Sequence, residues 1–126
     1  MTGSNRPLSP HLQVYRLPLT GILSITHRGT GVLLTMGLCL LAYGLWMLAE
    51  GEESYLAFQS VVDSVLGRII LYSWVIGLFF HFCHGIRHLI WDLGSGFLKQ
   101  HMNLLAVFEI ILMIVLTITA FVFSLG

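Results

Sequence analysis

The sequence predicts an all-α membrane protein with three transmembrane helices. Hydrophobic residues make up 56% of its 126 residues and charged residues only 10%, whereas soluble domains typically carry about 25% charged residues. The chain has three long apolar runs, and none alternates with the period of two that is typical of a membrane strand. Acidic and basic residues are equal in number, six each, so the net charge gives no indication of a nucleic-acid partner.

Each apolar run has about the length that crosses a bilayer, which is about 20 residues at a rise of about 1.5 Å per residue. The first is GTGVLLTMGLCLLAYGLWML and the second is IILYSWVIGLFFHFCHGI. The third, LLAVFEIILMIVLTITAFVFSLG, is interrupted only by Glu109. We expect one membrane domain with spans at about 24–49, 67–91 and 104–125, joined by short polar connections. Ser24 is the predicted N-cap of the first helix.

The basic residues predict the orientation of these spans. Five of the six lie before the first span or near the end of the second, and Arg68 is the exception. The positive-inside rule then places the N-terminus inside and the C-terminus outside. The polar segment 1–23 lies on the inner side. Because it lacks a signal-peptide core and the Arg- and Ser-rich composition of a presequence, we expect a bacterial inner membrane rather than a mitochondrial one.

Three histidines lie near the inner end of the second span, in the stretch HFCHGIRHLIWD. The spacing of His81, His84 and His88 is i, i+3, i+7, which places them on one face of a helix. His88 is expected at the membrane interface, and His81 about 15 Å deeper at 1.5 Å per residue. At that depth His81 is expected either to hydrogen-bond a Ser or Thr of another helix or to bind a metal or haem. For His84, a hydrogen bond to a neighbouring helix is favoured over binding a metal or haem.

The surrounding sequence favours haem over zinc as the group that His81 would bind. Zinc needs three or four ligands, and we expect no acidic side chain at that depth. A haem needs one axial imidazole on each face, and His81 and His88 project from the same side of one helix. The first and third spans contain no histidine at that depth. A haem at His81 would therefore take its opposite ligand from another chain or remain five-coordinate.

A second polar group lies in the stretch SITHRGTG, just before the first apolar run. His27 and Arg28 are expected at the inner membrane surface. One interpretation is that these two side chains only anchor the helix among lipid headgroups. The other is that they contact haem propionates, or that Ser24 and Arg28 hydrogen-bond a quinone carbonyl. The sequence itself leaves both interpretations open.

Three motifs together resemble the family of cytochrome b subunits of succinate dehydrogenase: RPLSPHLQVYR (Arg6–Arg16), SITHRGTG (Ser24–Gly31) and HFCHGIRHLIWDLG (His81–Gly94). The resemblance covers the whole chain, including the order of its three spans. It implies a membrane anchor that holds haem b together with a second anchor subunit. It also implies part of a site that reduces ubiquinone or menaquinone. The further partners would be an iron–sulfur subunit and a flavoprotein that oxidises succinate.

The resemblance also implies roles for individual residues. His81 is the first histidine of the motif H-x-x-x-G-I-R-H and would be an axial ligand of the haem iron, with the other axial histidine supplied by the second anchor. Ser24 and Arg28 would line the quinone pocket, and His27 and Arg28 would lie near the haem propionates. His84 occupies a variable position of the motif, and the spacing to Gly85 selects His81 instead.

Three alternatives remain open from the sequence. A quinol:fumarate reductase anchor would take part in the same chemistry in reverse. A haem-free structural anchor would leave His81 in a packing role. The haem content of the complex would distinguish it from a haem-binding anchor. A transporter or channel subunit would use a buried histidine as a proton relay, but we expect no second ionisable group at the depth of His81. The isolated chain is not expected to be catalytic.

Overall fold

The computed structural model describes residues 16–96 and 98–124, without the side chains of residues 99 and 100. It contains four helices in the order α1 (Leu19–Glu50), α2 (Glu52–Val62), α3 (Val65–Asp92) and α4 (Lys99–Ser124). No strand occurs in this described part of the chain, so the predicted all-α class is confirmed. Residues 1–15 of the predicted polar segment lie outside the described residues. Nearly all of the first motif lies within that part.

Three of the helices are long and apolar enough to cross a membrane: α1, α3, and α4 from His101 onward. The prediction of three such helices is thereby confirmed. In the most apolar stretch of α1 only 6% of the residues are buried within the chain. The remaining apolar side chains form an outer surface, which suits contact with lipid or with another membrane chain.

The start of α1 differs from the prediction, and Ser24 is not the N-cap. The N-cap is Pro18, in extended conformation with φ −67° and ψ 156°. Its carbonyl oxygen accepts hydrogen bonds from the backbone N–H groups of Gly21 and Ile22. Helix geometry therefore begins at Leu19, because proline has a fixed φ and no N–H to leave unpaired at a helix entry. Ser24 lies in the second turn of α1.

A short helix, α2, occupies what the sequence predicted only as a connection. Gly51 ends α1 with a φ of 123°, a region that favours glycine. Glu52 and Glu53 then form the first turn of α2, where acidic side chains complement the helix dipole. The ring of Phe58 packs against α1 at Gly44, where a Cβ would come within 2.8 Å of the ring.

The best-packed end of the bundle is the end that carries the histidines. α3 packs against both α1 and α4, and it begins at the N-cap Ser64, whose Oγ accepts from the N–H of Gly67 at 3.1 Å. The small core joins Leu23 of α1, Phe80 of α3 and Ala106 of α4. These three lie near the start of α1, in the second half of α3 and near the start of α4, so the core fixes the helices close to the histidines.

Candidate functional site

Four imidazoles form a histidine cluster where α1 meets α3: His27, His81, His84 and His88. The ring of His27 stacks on that of His81, with centroids 3.9 Å apart and an interplanar angle of 16°. The His27 ring also lies 4.6 Å from that of His84 and 5.6 Å from that of His88. The fold thus brings together two motifs whose stacked histidines are 54 residues apart in the chain.

The Nδ1 atom of His81 is held by α1. It lies 3.2 Å from the backbone carbonyl oxygen of His27 and 3.2 Å from Oγ1 of Thr30. The Thr30 hydroxyl donates to the same carbonyl at 2.9 Å, so the N–H of Nδ1 is the donor to both oxygens. This arrangement assigns the proton to Nδ1 and leaves Nε2 of His81 available to a metal. The interhelical bond to a threonine is present, and it uses only one of the two ring nitrogens.

Gly31 leaves room for the ring of His81. A Cβ at Gly31 would lie 3.3 Å from Cε1 of that ring, closer than an ordinary van der Waals contact. At Gly29, two residues earlier, a Cβ would have nothing within 4 Å. Of these two glycines, only Gly31 is required for the close approach of the imidazole to the α1 backbone.

An apolar groove of about 560 Å³ runs between α1 and α3, and His81 lies in its wall. This volume is within the range of small-molecule and cofactor sites, which is about 300–1,000 Å³. The groove is open on one side, towards the surface that lipid or another chain would cover. The residues that line it are Gly31, Leu34, Thr35, Gly37, Leu38, Leu41, Leu71, Trp74, Val75, Leu78 and His81.

Ser24 and Arg28 lie on the same face of α1 as the wall of this groove. Positions 24, 28, 31, 35 and 38 follow one another at alternating intervals of four and three residues, which keeps them on one stripe of a helix. Ser24 is half-buried and Arg28 is exposed. Within the described part of the chain, neither side chain has a partner. The two residues extend the stripe beyond the end of the groove at which His81 lies.

His27 has one ring nitrogen that the protein leaves unpaired. Its Nε2 is buried and has no hydrogen-bond partner among the residues that the structure describes. A buried polar atom without a partner is unfavourable. A carboxylate oxygen from outside the chain could accept a hydrogen bond from Nε2, provided that Nε2 carries a proton.

His84, Arg87 and Glu109 form a buried ion cluster between α3 and α4. His84 has 0% of its surface exposed, Arg87 2% and Glu109 3%. The Nδ1–H of His84 donates to Oε1 of Glu109 at 2.8 Å, and Nη1 of Arg87 lies 3.1 Å from Oε2. The guanidinium also lies over the ring of Trp91, 4.9 Å from its centroid. The expectation that His84 bonds a neighbouring helix is confirmed.

From the sequence we expected no acidic side chain at the depth of His81, and we did not foresee Glu109 as a partner of the histidine cluster. Glu109 reaches across from α4 to His84, which lies about one turn from His81 towards the end of α3. The signal was its position as the lone charged residue of the third apolar run, because an ionisable residue inside a membrane helix usually has a partner there. A transporter is therefore not excluded by a lack of ionisable side chains close to the histidine cluster.

His27, His84 and His88 each offer a ring nitrogen, and these atoms lie within 4.8 Å of one another, a spacing compatible with metal binding. One neighbour opposes a metal ion there. Nη2 of Arg87 lies 3.0 Å from Nδ1 and 3.5 Å from Nε2 of His84, so a metal on that ring would face a guanidinium. His81 is better placed, because it lines the groove and its Nδ1 is already engaged.

Comparison with known proteins identifies the family. A family model described as succinate dehydrogenase/fumarate reductase transmembrane subunit matches residues 2–121. The chain belongs to this family. The resemblance to this family is thereby confirmed. The three helices that are long and apolar enough to cross a membrane agree with the word transmembrane in the family description.

The chain has both bacterial and mitochondrial relatives. The succinate dehydrogenase cytochrome b556 subunit of Rickettsia felis is 37% identical over 120 residues, which cover 94% of this chain and 93% of the relative. That of Paracoccus denitrificans is 46% identical over 92 residues, or 73% and 71% of the two chains. The mitochondrial cytochrome b560 subunit of Mus musculus is 46% identical over 99 residues, which are 75% of this chain but only 57% of the relative. The match therefore spans little more than half the length of the mouse protein.

Proposed function

We propose that this chain is the cytochrome b anchor of a succinate dehydrogenase complex. It holds the complex in the membrane, binds haem b and forms part of the site that reduces ubiquinone or menaquinone. The family match and the names of the relatives support the anchor role. The observation that carries the haem assignment is the position of His81 in the groove wall with its Nδ1 bonded to α1.

The residues of the groove fit a haem. His81 would hold the haem iron through Nε2, and the apolar walls would suit the uncharged part of a haem. Gly31 keeps the ring of His81 clear of a side chain on α1. When bound, the haem would supply one-electron redox chemistry, tuned by its axial ligands and its surroundings. Because His81 is the one histidine among the groove-lining residues, we propose that a second anchor subunit supplies the opposite imidazole.

The buried ion cluster supports His81 rather than His84 as the ligand. His84 has no exposed surface, and its ring lies among Glu109, Arg87 and His27. A haem shared with a second subunit must reach the outside of this small bundle. His81 faces that outside through the groove, whereas His84 is enclosed by α1, α3 and α4.

We assign the haem propionates to His27 and Arg28. The unpaired Nε2 of His27 suits an acidic oxygen, and the stacking of His27 on His81 keeps it beside the ligand. Arg28 follows directly in the chain and is exposed. Arg87 is a weaker candidate, because Glu109 already balances its charge.

Ser24 and Arg28 are the proposed quinone-binding residues. A hydroxyl and a guanidinium both donate hydrogen bonds, and a quinone carbonyl accepts them. Arg28 would also stabilise the negative charge that develops on the quinone oxygen during reduction. Electrons would come from succinate through a flavoprotein and an iron–sulfur subunit, and protons from the adjacent aqueous side.

The histidine end of the bundle is proposed to face the inner side of a bacterial cytoplasmic membrane. Arg16, Arg28 and Arg87 lie at that end, whereas the opposite end carries the acidic pair Glu52 and Glu53. This distribution follows the positive-inside rule.

The anchor function can be tested in membranes of a strain that lacks this chain but keeps the other subunits. We expect succinate-dependent reduction of a water-soluble dye to move from the membrane to the soluble fraction, while quinone reduction is lost. Restoring the chain should bring both activities back to the membrane. Wild-type quinone reduction without the chain would overturn the proposal.

A further inference from the structure

We propose that Glu109 is a positioning residue of the haem site. Its carboxylate fixes the ring of His84, against which His27 packs, and it cancels the charge of Arg87. The inference rests on the proposed haem-binding function. It gives a role to α4, which carries none of the three motifs.

The carboxylate of Glu109 divides its two oxygens between two partners. Oε1 accepts from His84 at 2.8 Å, and Oε2 pairs with Arg87 at 3.1 Å. All three side chains are at most 3% exposed. An unpaired charge in such a place is strongly unfavourable, both in a protein interior and within a bilayer. Glu109 is therefore what allows Arg87 to remain charged beside the histidine cluster.

Contacts run without a gap from Glu109 to the proposed haem ligand. The carboxylate holds the His84 ring, which lies 4.6 Å from the ring of His27 between centroids. The centroid of the His27 ring lies 3.9 Å from that of the His81 ring. The backbone carbonyl oxygen of His27 accepts from Nδ1–H of His81. A displaced His84 would change the surface on which His27 rests. The position of the hydrogen-bond acceptor of His81 would change with it.

Charge gives the inference a signature that packing alone would not produce. Arg87 and Glu109 together are neutral, and their ion pair lies next to the histidine cluster. Without the carboxylate, Arg87 would be an uncompensated cation in a region of low dielectric. A nearby positive charge favours the reduced form of a haem, because reduction adds a negative charge. Loss of the Glu109 charge should therefore raise the haem midpoint potential.

The test is a redox titration of the haem in the purified complex, with Glu109→Gln compared with wild type. Gln keeps the shape of Glu and removes its charge. Glu50→Gln is the matched control, since Glu50 is exposed at the far end of α1 and its Oε1 accepts from Nε1–H of Trp46. We expect an upward shift of the midpoint potential in Glu109→Gln and none in Glu50→Gln. Full haem content with an unchanged potential in Glu109→Gln would overturn the inference, since a structural role alone would lower only the yield.

A second variant keeps the test decisive if Glu109→Gln fails to retain haem. The double variant Glu109→Gln/Arg87→Met carries no net charge in the cluster. We expect it to bind haem at the wild-type potential, and its failure to bind haem would overturn the inference. A wild-type complex without haem would overturn the proposed function together with this inference. A wild-type complex with haem, and an unmoved potential in Glu109→Gln, would overturn the inference alone.

Discussion

The rings of His27 and His81 stack with their centroids 3.9 Å apart, and the backbone carbonyl of His27 accepts from Nδ1–H of His81. Through this contact α1 determines which nitrogen of His81 is left for a ligand. Arg28, proposed to bind both quinone and propionate, follows His27 in the chain. Ser24 lies one turn before it. One short stretch of α1 therefore orients the proposed haem ligand and presents the proposed quinone-binding groups.

The clearance at Gly31 predicts that haem binding depends on the absence of a side chain there. In Gly31→Leu the added side chain would meet Cε1 of His81 and displace the ring, so we expect most of the haem to be lost. Gly29→Leu is the matched control, because a Cβ at Gly29 has nothing within 4 Å. The measurement is the ratio of haem to protein in the purified complex. Equal haem content in the two variants would contradict the assignment of His81.

The free guanidinium of Arg28 predicts a selective effect on quinone reduction. In Arg28→Ala we expect the rate of quinone reduction to fall by about 10²–10³-fold, as is typical when one preorganised donor is lost. Reduction of a water-soluble dye by the same complex should stay at the wild-type rate. Arg68→Ala removes the same charge from an exposed pair with Asp63, at the far end of α3, and should leave both rates unchanged. An equal loss of dye and quinone reduction in Arg28→Ala would indicate a defect in assembly instead.

The buried ion cluster predicts that removing one partner of the Glu109–Arg87 pair destabilises the fold far more than removing both charges. Glu109→Ala leaves Arg87 unpaired and should destabilise the fold by about 3–5 kcal/mol, as is typical for a broken buried pair. The double variant Glu109→Gln/Arg87→Met should be much closer to wild type, because it leaves no unpaired charge and Gln keeps an oxygen that can accept from Nδ1–H of His84. Thermal unfolding of the purified complex would show the difference as a lower Tm in the single variant.

A matched control for that series lies in the exposed pair of Arg68 and Asp63, whose side chains are 60% and 53% exposed. Asp63→Ala should lower stability by less than about 1 kcal/mol, since exposed pairs contribute little. A Tm for Glu109→Ala as high as that for Asp63→Ala would contradict the predicted contribution of the buried ion cluster to stability.

The proposed orientation predicts opposite labelling of two exposed positions. In a variant with Cys39 and Cys83 replaced by serine, Glu53→Cys lies in the first turn of α2, just after the far end of α1, and Ser95→Cys lies just after the histidine end of α3. We expect a membrane-impermeant maleimide added to intact cells to label the cysteine at position 53 and not that at position 95. Labelling of position 95 alone would reverse the orientation.

The apolar runs were sufficient to predict the three long helices, because hydropathy over about 20 residues is a direct requirement of the bilayer. The helix α2 was missed, although Gly51 followed by Glu52 and Glu53 is a local signal for a helix end and a new start. Its stability depends partly on the contact of Phe58 with Gly44, which joins two separate elements. Such a contact is not visible in either segment alone.

The histidine spacing predicted one shared face, and the structure refines that prediction. A helix turns about 100° per residue, so His84 is rotated about 60° from His81, whereas His88 is rotated by only about 20°. That difference places His84 inside the bundle with Glu109 and leaves His81 in the groove wall. Sequence spacing could not assign these sides, because they depend on how α1 and α4 pack around α3.

The most direct test of haem ligation by His81 is the reduced-minus-oxidised visible spectrum of the complex co-expressed with its partner subunits. We would compare wild type with His81→Ala and His84→Ala, and use His101→Ala, an exposed histidine on α4, to control for assembly. We expect a b-type haem spectrum in wild type that is lost or strongly altered in His81→Ala and unchanged in His101→Ala. His84→Ala should still bind a b-type haem, because it disturbs the surroundings of His81 without removing the proposed ligand. A wild-type b-type spectrum that His81→Ala leaves unchanged, in a fully assembled complex, would contradict ligation of the haem iron by His81.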